Sequence, residues 1–373
     1  MEYIESKSES RRYVTITMTE ACNLDCTYCY ENHKSKNTIS IETLKKIIKK
    51  EMMADNGYNA VEFDLFGGEP FLEFDKIKEI YDYTLNLDSD KKYVLFAATN
   101  GTLVHGEVKE WLRTHPYFVC GLSFDGTPEM QNINRSNSSS KVDLDFFKEL
   151  YSDQDIKMTI SRESLETLSD GVIFLQEKGF KVSCNLAYNI DWSDEKNKDI
   201  LHRELMKLID YYLKHPEIKP CSILEMEITN VSHATKENKN IRSCGAGVTT
   251  VAYHIDGTAY PCQFFMPLSV GEEKAKKSLE LKFYDEEIPK ELVEEKCVKC
   301  VAQSVCPTCY GSNYAATGNM YRHDDNYCEL TKIIIKARSY FKAMQWQVGQ
   351  LNIPEEEVPH LLNSIKIIQE ELF

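Results

Sequence analysis

Six short runs rich in β-branched and aromatic residues recur through the first half of this chain, and stretches of helical spacing lie between them. The runs cover residues 13–17, 61–66, 93–98, 118–124, 157–161 and 181–187, and the helical stretches cover 41–53, 75–85, 107–113, 143–151 and 165–178. Strand–helix repeats joined by right-handed crossovers build a parallel sheet with helices packed outside it. Six units fall short of an eight-unit barrel. The expected fold is therefore α/β, a partial (β/α)6 TIM-like barrel, followed by a smaller, loop-rich C-terminal domain. In such folds the chemistry sits on loops that leave the C-terminal ends of the strands.

Those loops carry unusual text. Strand one runs into TEACNLDCTYCY, strand two into Gly67-Gly68-Glu69-Pro70, and strand three into Thr99-Asn100-Gly101-Thr102. Strand four closes on Ser123-Phe124-Asp125-Gly126. All four are expected at one mouth of the barrel. Three of the 13 cysteines fall in the first loop, at Cys22, Cys26 and Cys29. Cys244, Cys262, Cys297, Cys300, Cys306, Cys309 and Cys328 crowd the last third. Cys120, Cys184 and Cys221 lie between, in apolar runs that suit small buried core residues.

Composition narrows the chemistry. Lys and Arg number 44 against 59 Asp and Glu, a net charge of −15 that would repel nucleic acid. No apolar run reaches the roughly 18 residues of a membrane helix, so no membrane partner is expected. The first residues, MEYIESKSESRRYVTITM, have no apolar signal core, which points to the cytoplasm. Thiols there stay reduced, so metal or redox chemistry reads better than disulfides.

Three thiolates from one short loop suit a 4Fe-4S cluster with one iron left for an outside ligand. CNLDCTYCY after a first strand, Tyr28 before the third cysteine, and the Gly67–Pro70 text resemble the cluster loop and core of the radical S-adenosylmethionine (SAM) superfamily. The resemblance implies that the free iron binds the methionine part of S-adenosylmethionine. One electron then yields methionine and a 5′-deoxyadenosyl radical that takes a hydrogen atom from the substrate. It also implies cofactor-binding roles for Tyr28, Gly67, Gly68, Glu69, Asn100, Ser123 and Arg135. Plainer readings exist: Gly-Gly and Asp125-Gly126 as turns, Arg135 as a surface cation. An electron donor of the flavodoxin or ferredoxin type is implied as a partner.

The seven C-terminal cysteines are similar to the SPASM domain, which is appended to radical enzymes acting mostly on peptides and holds two auxiliary 4Fe-4S clusters. By that resemblance Cys297, Cys300, Cys306 and Cys328 hold one cluster, and Cys244, Cys262 and Cys309 the other. The family usually spaces the last pair by three residues, whereas here Pro307-Thr308 leaves two. The second set is one ligand short. Either Cys221 completes it or one iron stays open to water or a soft substrate thiolate. The expected division is 1–230 for the barrel core with a bridging helix and strand, 231–243 for a linker, 244–330 for the SPASM domain, and 331–373 for C-terminal helices. A long helix is read over 194–213, a further strand over 222–229, and a hairpin over 249–261 turning at Asp256-Gly257.

Two activities fit. One is maturation of a ribosomally made precursor peptide through a thioether or carbon–carbon crosslink, favoured by the CPTCYG text at 306–311. The other is the anaerobic sulfatase-maturing reaction, Cys or Ser to formylglycine, which the text GLSFDGTPEMQNINR resembles. The base expected there is an aspartate directly after the hairpin cysteine, and Gln263, an amide, stands in its place. No residue is read as the catalytic base. A third reading is a zinc-binding interaction module with no catalysis. About a dozen residues precede the first strand, so leader recognition is expected from a separate protein or from the acidic surface.

Overall fold

The computed structural model describes residues 10–234, 244–285 and 288–372. Strands β1 (Arg11–Thr19), β2 (Ala60–Gly67), β3 (Lys92–Thr99), β4 (Phe118–Leu122), β5 (Ile156–Ile160) and β6 (Val182–Leu186) occur where the six runs place them. Between them lie α1 (Ile41–Met53), α2 (Phe74–Leu85), α3 (Glu107–Thr114), α4 (Pro128–Asn134), α5 (Leu144–Leu150) and α6 (Leu168–Glu177). The chain continues through α7 (Lys196–Lys214), α8 (Ser222–Glu225), α9 (Asn230–Ala234), β7 (Thr250–Tyr253), β8 (Ala259–Tyr260), α10 (Pro267–Val270) and α11 (Glu272–Ser278). It ends in α12 (Glu295–Val298), α13 (Tyr310–Thr317), α14 (Asp325–Gln347) and α15 (Val358–Glu371). Contacts divide the described residues into two compact units.

The first unit holds the chain up to Phe124, with Arg135–Lys157 and Gly245–Phe283. Its sheet has the order β4-β3-β2-β1-β7-β8, parallel throughout except for the β7–β8 hairpin. The period of two shows on β2: Val61, Phe63 and Leu65 are fully buried, while Glu62, Asp64 and Phe66 on the other face are half-buried. Helix α1 starts on Ser40, whose side chain accepts from the Thr43 amide, and buries Leu44, Ile47, Ile48 and Met52 along one stripe. The hairpin forms where the turn text placed it, and β7 pairs in parallel with β1, Tyr13 opposite Thr250 and Ile16 opposite Tyr253. A buried anchor fixes that pairing: the Tyr253 hydroxyl donates to Glu51, which also accepts from Arg12 Nε at 2.8 Å. Beyond β4, Ser123 forms a single parallel bridge with Lys157.

The second unit holds Asp125–Asn134, Met158–Cys244 and the chain from Tyr284. Strands β5 and β6 pair with each other as a separate two-stranded sheet. Helix α14 packs on α7, α15 and α8. Ile228, Val231, Ala302, Val305, Ile335, Leu361 and Ile368 share one apolar cluster.

The strand expected over 222–229 does not form. Ser222 instead opens α8, and its hydroxyl accepts from the Cys184 amide at 2.9 Å and donates to the Cys184 carbonyl at 3.0 Å. One side chain thus takes both ladder groups that a neighbouring strand would have used. The expected linker begins as helix α9, with Val231 buried; its remainder, 235–243, lies outside the described residues. Helix α14 starts at Asp325, earlier than the apolar spacing suggests. Asp324 caps it by accepting from the Tyr327 amide, and Cys328 falls in the first turn. No helix among the described residues is long and apolar enough to cross a membrane.

Candidate functional site

The loop leaving β1 is held against β2 by backbone alone. The Gly68 amide donates to the Thr19 carbonyl at 3.0 Å and the Glu69 amide to the Ala21 carbonyl at 2.9 Å. A Cβ on Gly67 would lie 2.1 Å from the Thr19 oxygen, and one on Gly68 would lie 2.2 Å from the Ala21 oxygen. The glycine pair is therefore required by the cysteine loop itself, whatever approaches from the other side. Within the loop the Leu24 amide donates to Cys22 Sγ at 3.4 Å and the Cys29 amide to the Cys26 carbonyl at 3.1 Å. All three thiols are half-buried, and burial pushes Cys22 and Cys29 up. Burial would depress the Lys34 ammonium, but the three sulfurs and the Glu31 carboxylate outweigh it and hold Lys34 above its ordinary value.

Behind the loop the expected residues converge. Glu69 is buried and accepts from the Phe71 amide at 3.2 Å, the Thr99 hydroxyl at 2.8 Å and the Asn100 amide at 2.8 Å. Burial raises its carboxyl to about 7 against the pull of these donors and of Arg135. Asn100 Nδ2 donates to Asn23 Oδ1 at 2.9 Å, and Asn23 Nδ2 donates to Thr102 Oγ1 at 2.7 Å. The Arg135 guanidinium lies over the Tyr28 ring, 5.4 Å from its centroid. Arg135 is 8% exposed, so it is not a surface cation. The Ser123 amide donates to the Thr99 carbonyl at 2.9 Å, which seats Ser123 beside the Glu69 network. The loop and its seven proposed cofactor contacts thus belong to one unit.

Several residues of this site were not legible in advance. Asn23 ties the cysteine loop to the β3 loop, and its only signal was its place between two cysteines. Ser136 Oγ accepts from the Asp25 amide at 2.8 Å, with Ser136 and Asn137 both left-handed at φ 53° and 51°. His254 Nε2 meets Glu20 Oε1 at 2.8 Å, and Glu20 also accepts from Ser35 at 2.5 Å. Tyr30 stacks on Phe264 with centroids 4.0 Å apart. Glu31 and Asp64 are charge-coupled, and burial raises them to about 8 and about 6. Asp125 belongs to the second unit and is structural. It accepts from the Thr159 amide at 2.9 Å and Asn134 Nδ2 at 3.2 Å, and its own amide donates to Gln131 at 2.8 Å.

In the second unit Cys297, Cys300, Cys306 and Cys328 line one cavity of about 310 Å³, with Lys296, Lys332 and His323 at its wall. Burial, then Cys328, raises the Cys297 thiol to about 11 and the Cys306 thiol to about 12. Burial raises Cys309 to about 11, and Cys244 is close enough to add to the shift. Cys262, after the hairpin, belongs to the first unit, where its sulfur adds to the upward push on the Tyr30 hydroxyl. Cys120 and Cys184 are fully buried. Cys221 is also fully buried, hydrogen-bonded to Cys184, with its amide donating to the Tyr212 hydroxyl oxygen at 3.0 Å. Among the described residues no three His, Cys, Asp or Glu side chains are grouped as a single metal ion would require.

A partial α/β barrel with three thiols on the loop after its first strand defines the class. The family model described as the radical SAM superfamily matches residues 16–203, and the chain belongs to that superfamily. Membership brings S-adenosylmethionine and a 4Fe-4S cluster, and the loop fits the cluster: three half-buried thiols beside one ammonium. The chain is 21% identical over 361 residues to the radical SAM cyclopropyl synthase TigE of Paramaledivibacter caminithermalis, covering 88% of this chain and 74% of the relative. It is 25% identical over 283 residues to a cysteine-type anaerobic sulfatase-maturating enzyme of Clostridium perfringens, covering 66% and 73%. The solved structure of anSMEcpe with bound AdoMet and the Kp18Cys peptide shares the fold, with a TM-score of 0.66 at 19% identity over 95% of this chain and 99% of that one.

Proposed function

We propose that this radical SAM enzyme modifies a ribosomally synthesised peptide by hydrogen abstraction with the 5′-deoxyadenosyl radical, forming a thioether or carbon–carbon crosslink. The observation that carries the reading is the cavity lined by Cys297, Cys300, Cys306 and Cys328. Four thiols around a space of that size suit an auxiliary 4Fe-4S cluster, and SPASM-type auxiliary clusters accompany peptide substrates. A fold relative that holds both AdoMet and a peptide supports the same substrate class.

Cys22, Cys26 and Cys29 would hold the first cluster, which supplies the electron that cleaves S-adenosylmethionine. Tyr28, Gly67, Gly68, Glu69, Asn100, Ser123 and Arg135 would bind and orient the cofactor. Lys34 would offset negative charge at the three sulfurs. The second auxiliary set, Cys244, Cys262 and Cys309, would have three ligands, because Cys221 is engaged with Cys184. Electrons would come from a flavodoxin or ferredoxin type donor, and a separate protein or the acidic surface would recognise the leader.

The sulfatase-maturing reaction is the second reading, supported by the Clostridium perfringens relative. Gln263 weakens it, since its amide cannot take a proton. The zinc-module reading needs a tight tetrahedral set of ligands, which the described cysteines do not present. The test is anaerobic incubation with reductant, S-adenosylmethionine and peptides encoded beside the gene, read by mass spectrometry. A product two hydrogens lighter that keeps its sulfur is expected. A product that has lost its sulfur, or in which a serine has become an aldehyde by losing one Cβ hydrogen and its hydroxyl hydrogen, would transfer the assignment to the second reading.

A further inference from the structure

The cysteine loop leaves β1 and returns toward α1, and one carboxylate closes its base. Glu20 directly follows β1, stands two residues before Cys22, and is 6% exposed. Its amide donates to the Asn37 carbonyl at 3.0 Å, and the Ile39 amide donates to the Met18 carbonyl at 3.0 Å, so backbone pairs the outgoing and returning segments. Glu20 Oε2 accepts from the Ser35 hydroxyl at 2.5 Å and from Asn37 Nδ2 at 3.3 Å, both on the returning segment. Its other oxygen is engaged from far along the chain. His254 Nε2 lies 2.8 Å from Glu20 Oε1, and because a carboxylate only accepts, the imidazole is the donor.

His254 directly follows β7, the parallel neighbour of β1, and is 7% exposed. The hairpin turn pins it. Its amide donates to the Thr258 carbonyl at 3.0 Å, its carbonyl accepts from the Gly257 amide at 2.9 Å, and Nδ1 stands 3.5 Å from Asp256 Oδ1. Among the described residues no lysine or arginine pairs with Glu20. A buried carboxylate keeps its place only while its hydrogen bonds are made, so this imidazole matters to where Glu20 sits. Every member of the network belongs to the first unit. His254 also lies beyond residues 16–203, the part that matches the superfamily, so the loop is clasped from outside that core.

We propose that His254 is a positioning residue for S-adenosylmethionine cleavage: through Glu20 it holds both ends of the cysteine loop and so fixes the first cluster against the cofactor. The inference rests on the reading that Cys22, Cys26 and Cys29 bind that cluster. His254 acts through Glu20 and not on the reacting atoms. Transfer of the electron that breaks the sulfonium carbon–sulfur bond depends on where the cluster stands, so a loop free to shift at its base loses rate even with the cluster bound.

The test needs no peptide. The reconstituted full chain is incubated anaerobically with dithionite and S-adenosylmethionine, and 5′-deoxyadenosine formation is followed by chromatography. Two polar variants separate the contact from its surroundings. Glutamine can set its amide nitrogen near the place of Nε2 and keep the donor to Glu20, whereas the shorter asparagine reaches only to the place of Nδ1. His254→Asn should lower kcat about tenfold at the parent's iron and sulfide content, with KM for S-adenosylmethionine little moved, because the cofactor's own contacts remain. His254→Gln should stay within about twofold of the parent. Loss of about four irons in His254→Asn that His254→Gln restores would also support the clasp. An asparagine variant that cleaves the cofactor like the parent, or a glutamine variant that falls as far as asparagine, overturns it. The premise is read separately: if Cys26→Ala with Cys29→Ala leaves cleavage of the cofactor intact, the loop does not hold the first cluster and this inference falls with it.

Discussion

Gly68 has no room for a methyl group, because a Cβ there would lie 2.8 Å from the Cys22 amide nitrogen as well as 2.2 Å from the Ala21 carbonyl oxygen. Both neighbours are backbone and cannot swing away. Gly68→Ala should displace the first cysteine of the loop and lower the iron of the reconstituted chain by about four, as one 4Fe-4S cluster is lost. Iron and sulfide assays check this, and full retention of iron would show that the loop yields. Glu69 makes a second residue-scale prediction. Its carboxyl titrates near 7 in the fold against an ordinary 4.5. The native state therefore binds that proton more tightly than the unfolded chain, so this group's contribution is fully present below about 4.5 and is lost as pH rises through 7. Glu69→Gln turns an amide donor toward the Thr99 and Asn100 donors and should destabilise the cluster-free chain by roughly 1–3 kcal/mol. Because the wild-type advantage fades with rising pH, denaturant midpoints of the two proteins should lie further apart at pH 5 than at pH 8. The glycine text was legible in the sequence as a motif; that its cause is a backbone-to-backbone contact was not, since two residues of sequence carry no information about what lies 50 residues upstream.

At the scale of elements, alternation and turn chemistry reached the six strands, the helices between them and the hairpin, because each is set by local period. Pairing partners escaped for the same reason. Nothing in residues 250–253 says that β7 lies beside β1, which depends on Tyr253, Glu51 and Arg12 meeting across the chain. The apolar run at 222–229 reads as a strand by local period, but Ser222 occupies both backbone groups of Cys184 and the run opens as α8. Asp125 illustrates a different case, a residue that reads as part of a turn after strand four and whose bonds reach well beyond the turn. It joins α4 to β5 through Asn134 and the Thr159 amide. Asp125→Ala would leave the Thr159 amide without its acceptor, while Asn134 Nδ2 keeps Ser164 Oγ at 3.2 Å, and should cost about 1–3 kcal/mol of unfolding free energy. Urea titration of the cluster-free chain measures it. A loss below 1 kcal/mol would mean that water replaces the carboxylate.

The whole molecule is best tested through its cysteines, because they divide the chain into sites that can be removed one at a time. The loop of three and the cavity of four each form a set within a single unit. The remaining set is divided, with Cys244 beside Cys309 in the second unit and Cys262 in the first. Spacing left Cys221 as a candidate fourth ligand. Its sulfur is instead committed to Cys184, its amide to Tyr212, and its residue is sealed from solvent. A ligand would have to break the thiol pair and move out of the core. Cys221→Ser should therefore leave about twelve irons per reconstituted chain, three clusters of four, whereas Cys309→Ser should leave about eight. A fall to eight in Cys221→Ser would make it a ligand and close the last iron. If it holds at twelve, the second auxiliary cluster carries three thiolates and one iron without a cysteine. An iron so placed would take a soft sulfur donor well. A substrate thiol bound there would be acidified by the iron and would give its proton to solvent, so that a crosslink through that sulfur would not call on residue 263.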